Sequence, residues 1–178
     1  TAGSYSLEVT ALAQAQKLAS KGFAATTTAV GTGTLTFTFG TTAGTTFTAD
    51  ATQPAQSVTI GAGQTTLAGI RDAINAAKVG VTATIVNDGS AAGQRLVLTS
   101  AKTGAASSVM ITAADDDGTA ADDAGLSQLA FDSAATAGAG RNLTQTQAAQ
   151  DAALLRQALE LQPDHAGAIV GLAGLLIA

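Results

Sequence analysis

The densest set of potential ligands in this sequence is acidic. Asp115-Asp-Asp117-Gly118, with Asp122 and Asp123 close behind, offers several carboxylate oxygens to a hard cation such as Ca²⁺. The run lacks the ligand spacing of an EF-hand loop and its closing Glu. Charge runs are usually solvated faces, so a surface loop is the preferred reading. His165 is the only histidine. It can pair with Asp164, but it stands beside Pro163 with no further ligand in view, and a surface position is expected. Gly31-x-Gly33 is not a dinucleotide loop. The third glycine of that fingerprint would fall at Thr36, and a strand follows instead of a helix. Asn142-Leu-Thr144 matches the glycan acceptor pattern, which is read here as a chance match. The threonines at Thr26–Thr28 and Thr41–Thr46 offer hydroxyls for O-glycosylation, but a solvated strand edge explains them more simply.

Acid–base catalysis needs a positioned pair or partner. Asp72 and Asp88 are single carboxylates near the ends of different elements. There is no cysteine, which removes a disulfide framework and any thiolate metal site. No Ser/His/Asp or Cys/His set assembles. The residues therefore predict no catalytic, metal-binding or cofactor-binding site, no cofactor, and a protein that is not an enzyme.

The elements around these residues are built from small side chains. Among 178 residues there are five Phe, one Tyr, one Met and no Trp, so Val, Ile, Leu and Ala must fill the core. Charged residues are 12% of the chain, against roughly 25% in ordinary soluble domains. With 27 threonines this is a composition for pleated, half-exposed strands. The net charge is −5, and the lysines and arginines are scattered without aromatic interleaving, which argues against nucleic-acid binding. No run reaches the ~20 apolar residues of a membrane span. The N-terminus carries no basic-then-apolar signal, and the chain opens within a strand-like segment, as a piece of a longer protein would.

Period-two alternation predicts strands at Tyr5–Val9 and Val30–Gly40, the latter with Leu35, Phe37 and Phe39 on one face and Thr34, Thr36 and Thr38 on the other. Gly40 to Gly44 turns the chain into a hairpin through Thr45–Ala49. Further strands are expected at Ser57–Ile60, Val81–Asn87, Arg95–Ser100 and Val109–Thr112. Between them, Leu67, Ile70, Ile74 and Ala77 form one apolar stripe of a helix capped by Thr65 or Thr66 and stopped at Gly80. Propensity alone makes Ala11–Ser20 a short helix. Ala113–Gly125 reads as an acidic loop, Leu126, Leu129 and Phe131 as core, and Ala134–Gly140 as a small-residue linker. Residues 57–112 thus run β–α–β–β–β, an α+β pattern with mainly antiparallel pairing.

Several of these segments carry a family signature. Tyr5-Ser-Leu-Glu-Val9, Leu12-Ala-Gln-Ala-Gln16 and Leu18-Ala-Ser20, followed by Val30-Gly-Thr-Gly-Thr-Leu-Thr-Phe37, resemble the start of the head region in flagellar filament cap proteins, the hook-associated protein 2 family. Thr66-Leu-Ala-Gly-Ile-Arg-Asp-Ala-Ile-Asn75, then Gly80-Val-Thr-Ala83 and Ile85-Val86, looks like the flagellin IN motif of that family. Arg95-Leu-Val-Leu98, Lys102-Thr-Gly104 and Ala148-Ala-Gln-Asp-Ala152 also fit it. The likeness covers about residues 3–152 and implies an extended Ala11–Ser20, against propensity. Residues 153–178 depart from it. They read as two amphipathic helices joined at Pro163, similar to a junction between tetratricopeptide repeats, which needs stacked neighbours to bury its faces.

The expected fold is α+β: mainly antiparallel head domains with one short amphipathic helix at about 66–78 and a C-terminal helical pair. A first head subdomain would comprise 1–50 and part of 126–152, a second 51–125, and a helical tail 153–178. The resemblance implies a structural and assembly module of the filament cap, extracellular at the flagellum tip. Its partners would be sibling cap subunits in a homo-oligomeric ring, and flagellin, with neither nucleic acid nor membrane. Terminal legs outside this segment would contact the filament, so the head alone would bind it weakly. Two alternatives remain open at this point: an adhesive head binding host glycans or mucin, or the variable outer domain of a flagellin.

Overall fold

Alternating Thr and aliphatic residues cannot bury both faces of a strand, and the chain resolves this by packing sheets and one helix around a shared aliphatic interior. The computed structural model describes residues 8–119 and 121–155. Its strands are β1 (Glu8–Ala11), β2 (Lys17–Ala19), β3 (Gly33–Ala43), β4 (Thr46–Ala49), β5 (Gln56–Ile60), β6 (Val81–Asn87), β7 (Gln94–Ser100), β8 (Ser108–Asp115), β9 (Phe131–Ala137), β10 (Ala139–Arg141), β11 (Thr144–Gln147) and β12 (Ala153–Leu155). The helix α1 spans Leu67–Ala77, and short 3₁₀ turns lie at Ala62–Gln64, Ala105–Ser107 and Gly125–Leu129.

The larger unit, Ala13–Asp151, holds two sheets. In one, β3 is central. It pairs antiparallel with β8 on one side and, in succession along its other side, with β5 and β4. β9 and β10 extend that sheet beyond β8. The other sheet runs β11-β2-β7-β6, all antiparallel. Leu35 and Phe37 of β3, Ile111 of β8, Leu96 and Leu98 of β7, and Ile70 and Ile74 of α1 belong to one buried cluster. Each such side chain contributes about 1.5–3 kcal/mol by burial. The opposite face of β3 carries hydroxyls, and Thr36 meets Ser57 of β5 at 3.0 Å.

The smaller unit contains β1 and β12, paired antiparallel with Val9 opposite Leu154. This corrects the expected start of the C-terminal helical pair. Leu154 and Leu155 are good helix formers, yet they lie in a strand because β1 offers them a ladder. The rest of that helical pair lies outside the described residues, as do Tyr5 and Leu7 of the first expected strand.

Tertiary pairing also decides Lys17–Ala19. Its residues are sound helix formers, but it is flanked by Val97–Thr99 of β7 and by Thr144–Gln147 of β11, and two ladders outweigh a propensity difference of tenths of a kcal/mol. Ala134–Gly140, read as a linker, is largely strand, and β8 runs on to Asp115 where a loop was expected from Ala113. In α1 the Thr66 hydroxyl caps the helix by accepting from the Gly69 N–H at 3.1 Å. The buried stripe is Leu67, Ile70, Ala73 and Ile74, with Ala77 exposed. The left-handed stop is Lys78, with φ of 52°, and not Gly80. Gly80 is left-handed too, with φ of 79°, and a Cβ there would stand 2.8 Å from the Phe39 ring.

Candidate functional site

The acidic residues come together in part. One carboxylate oxygen from each of Asp115, Asp117 and Asp122 lies within 4.8 Å of the others. Asp123 is drawn away into an ion pair with Lys21 at 3.0 Å. The three clustered carboxylates accept backbone N–H groups. Asp117 takes that of Thr119 at 2.8 Å, Asp122 that of Ala124 at 3.1 Å, and Asp115 that of Ser127 at 3.0 Å. The first two are local turns of the kind Asp favours in loops. Burial pushes the Asp115 carboxyl up, but the Ser127 N–H and hydroxyl, with Asp117, hold it below the ordinary value. Asp117 is lowered by the Thr119 N–H yet ends above its ordinary value, because Asp115, burial and Asp122 oppose its charge.

Asn142, read as a chance glycan acceptor, has a structural task. Its amide donates to the main-chain carbonyls of Asp122 and, at 2.7 Å, of Ser127, so it pins the acidic loop to the segment that follows it. Gly31 and Gly33 likewise serve packing. A Cβ on Gly33, whose φ is 137°, would meet the Ala114 carbonyl oxygen at 2.3 Å, and one on Gly31 the Leu126 nitrogen at 2.8 Å. Asp72 pairs with its neighbour Arg71 at 2.7 Å, and Asp88 with Arg95 at 2.7 Å. The Ser90 hydroxyl and N–H, with Arg95, hold the Asp88 carboxyl down to about 2. His165 and Asp164 lie outside the described residues.

Two open grooves mark the surface of the larger unit. One, of about 530 Å³, runs between the β3–β4 turn, β9 and β11. It is lined by Thr45, Ser133, Thr144 and Gln145 and carries the exposed guanidinium of Arg141. The other, of about 280 Å³, has Phe39, Pro54 and Val79 in its lining and Lys78 and Lys102 with them. Neither groove brings a nucleophile next to a base.

Two polar residues to which the sequence alone assigns no task, Gln16 and Asn75, hold the sheets in place. Gln16 is buried. Its side-chain carbonyl accepts the Val109 N–H of β8, while its main-chain carbonyl accepts the Ser100 N–H of β7 at 3.0 Å, so one residue ties both sheets together. Asn75, on α1, donates to the Ala83 carbonyl and accepts the Ala83 N–H, both at 2.8 Å. β6 is the last strand of its sheet, and Asn75 stands where the next strand would pair. Each ends a segment that resembles the cap family, Leu12–Gln16 and Thr66–Asn75, but nothing local names the partner of either side chain.

Comparison with known proteins adds a consistent set of likenesses. Residues 34–102 match the family described as the flagellin hook IN motif. The chain is 40% identical over 136 residues to the B-type flagellar hook-associated protein 2 of Pseudomonas aeruginosa. That match covers 75% of this chain and 26% of the relative, so the chain spans about a quarter of the length of the curated relative it matches. The fold is similar to the D2–D3 domains of the flagellar cap protein FliD from Escherichia coli, with a TM-score of 0.67 at 31% identity, covering 86% of this chain and 70% of that one. It is also similar to FliD (HAP2) from Pseudomonas aeruginosa, with a TM-score of 0.62 at 34% identity, covering 87% and 63%.

Proposed function

Because the chain belongs to the flagellar filament cap family, also called hook-associated protein 2, we propose that it is the head portion of such a cap, a structural and assembly module at the growing tip of a bacterial flagellar filament. It works outside the cell. In the longer protein its partners are sibling copies, arranged as a homo-oligomeric ring, and the flagellin subunits that the ring helps to polymerise. The module acts through its surfaces, with no cofactor and no catalysed reaction. The carrying observation is the joint likeness in sequence and fold to the Escherichia coli cap domains, which extends over most of both chains.

The chemistry of the surface supports the same reading. The outward faces of β3 and β5 are ladders of hydroxyls, as at Thr36 and Ser57, with few charges to desolvate. Charged groups are depleted at the centres of protein interfaces because removing their water is costly. A hydroxyl-rich face keeps the head soluble and can still be covered by a neighbour.

The test uses the full parent protein. Expressed in a strain lacking its cap protein, it should restore filament growth and swimming, and the purified protein should form rings by negative-stain electron microscopy. A soluble parent that does neither would refute the reading.

A further inference from the structure

We propose that, between neighbouring heads of the ring, the groove rimmed by Lys78 and Lys102 receives the exposed acidic turn of Asp116 and Asp117 of the next copy. This inference rests on the ring-assembly reading above. Both ammonium groups are exposed, and neither forms an ion pair among the described residues. Asp50 is the carboxylate that senses Lys102, but it is already engaged by the Gln53 amide at 2.7 Å and by the Thr52 hydroxyl and N–H. Asp151, in the same region of the chain fold as Lys102, accepts the Ala105 N–H at 2.8 Å. The groove therefore presents two cations over an apolar lining of Phe39, Pro54 and Val79.

The opposite charge sits at the other end of the same strand. Asp115 pairs across from Gly33, whereas the groove is lined by Phe39, six positions further along β3. At about 3.3 Å per residue that is roughly 20 Å, with the sheet between them. The loop and the groove of one head stay apart, but those of two heads placed head to tail can meet. A contact between two different patches of one molecule is heterologous, and it repeats into a ring when its rotation closes. The crowding of Asp115, Asp117 and Asp122 within 4.8 Å leaves the loop self-repelling, and an ammonium group from a neighbour relieves that repulsion. A loop in so small a groove buries less than the ~1,000 Å² of a self-sufficient interface. It therefore sets register and association rate alongside the other ring contacts.

Charge reversal in the full parent protein tests this, with ring assembly followed against concentration by analytical ultracentrifugation at low and high salt. K78E/K102E and D116K/D117K alter exposed side chains, and melting curves verify that each variant folds. Each reversal alone should raise the concentration needed for assembly about tenfold or more, and the two together should bring it back towards the parent's. The parent's own assembly should weaken with salt. R141E, in the other groove, should leave assembly unchanged. Rings indifferent to both reversals, a combined variant no better than either alone, or dependence on Arg141 instead would overturn the docking site and leave the cap reading standing. A parent that forms no ring defeats the cap reading, and this inference with it.

Discussion

Asn75 imitates a strand. Its amide presents one donor and one acceptor to Ala83, the pair of bonds that another strand would make with the edge of β6. Replacing it with Ala removes two hydrogen bonds, each worth about 1 kcal/mol net. Ala is the better residue inside a helix by about 0.6 kcal/mol. The expected loss is therefore about 1.4 kcal/mol, or roughly 4–6 °C in melting temperature for a unit of this size. Asn75→Asp separates this account from a simple packing defect. Its carboxylate can still accept the Ala83 N–H, but its second oxygen faces the Ala83 carbonyl, acceptor against acceptor. At neutral pH this variant should be less stable than Asn75→Ala. In the folded state its carboxyl would resist ionisation, so its pKa would lie above the unfolded value. The deficit should therefore be absent below about pH 4, where the protonated group can donate to Ala83, and it should grow as pH rises through the folded value. Urea denaturation of parent, Asn75→Ala and Asn75→Asp at several pH values reads both effects. Light scattering checks whether the unguarded edge begins to self-associate. Equal stability of all three proteins, or an Asp–Ala difference that is flat with pH, would refute the strand-mimic account.

Four further outcomes follow from the geometry. Gly33→Ala should cost more than about 3 kcal/mol, since strain at positive φ is joined by backbone atoms that cannot move aside; Gly44→Ala, at φ of 62° with nothing within 4 Å, should cost only about 1 kcal/mol, both read by denaturant titration. Gln16→Leu strands the Val109 N–H inside the protein and should destabilise by about 1–3 kcal/mol, with amide exchange at Val109 and Ser100 accelerating together. Asp88 should titrate near 2 by NMR and move up in Ser90→Ala; its folded pKa is depressed, so its stabilising contribution is present above the unfolded value and fades as pH falls through about 2. Added calcium should leave the melting temperature where it is, because three carboxylates on an acidic turn fall short of the roughly six to eight oxygens that calcium takes; a rise that tracks calcium concentration would make the cluster a metal site.

Much of the fold was legible in the sequence because periodicity reports which face is buried. Leu35, Phe37 and Phe39 alternate with threonines, and they are the buried row of β3. Leu67, Ile70 and Ile74 keep helical spacing after Thr66, and the helix begins where the cap predicts. Beyond Asp115, which ends β8, the acidic run was legible as a loop from its composition. Segments whose local preferences are weak or misleading were not legible in this way. Lys17–Ala19 and Leu154–Leu155 lean towards helix and become strands only because distant partners supply ladders on which to pair.

The sequence by itself determined the alternating strands, the capped helix α1 and the aliphatic character of the core. Its ordered motifs also pointed to the cap family, through likeness rather than physics. Tertiary structure alone decided which strands are neighbours, that Asn75 closes an edge, that Gln16 joins two sheets, and that lysines and aspartates lie at opposite ends of β3. The physical reason is range. Periodicity and capping act over a few residues, whereas ladders, edge guards and charge separation depend on contacts between segments that the chain brings together only when it folds.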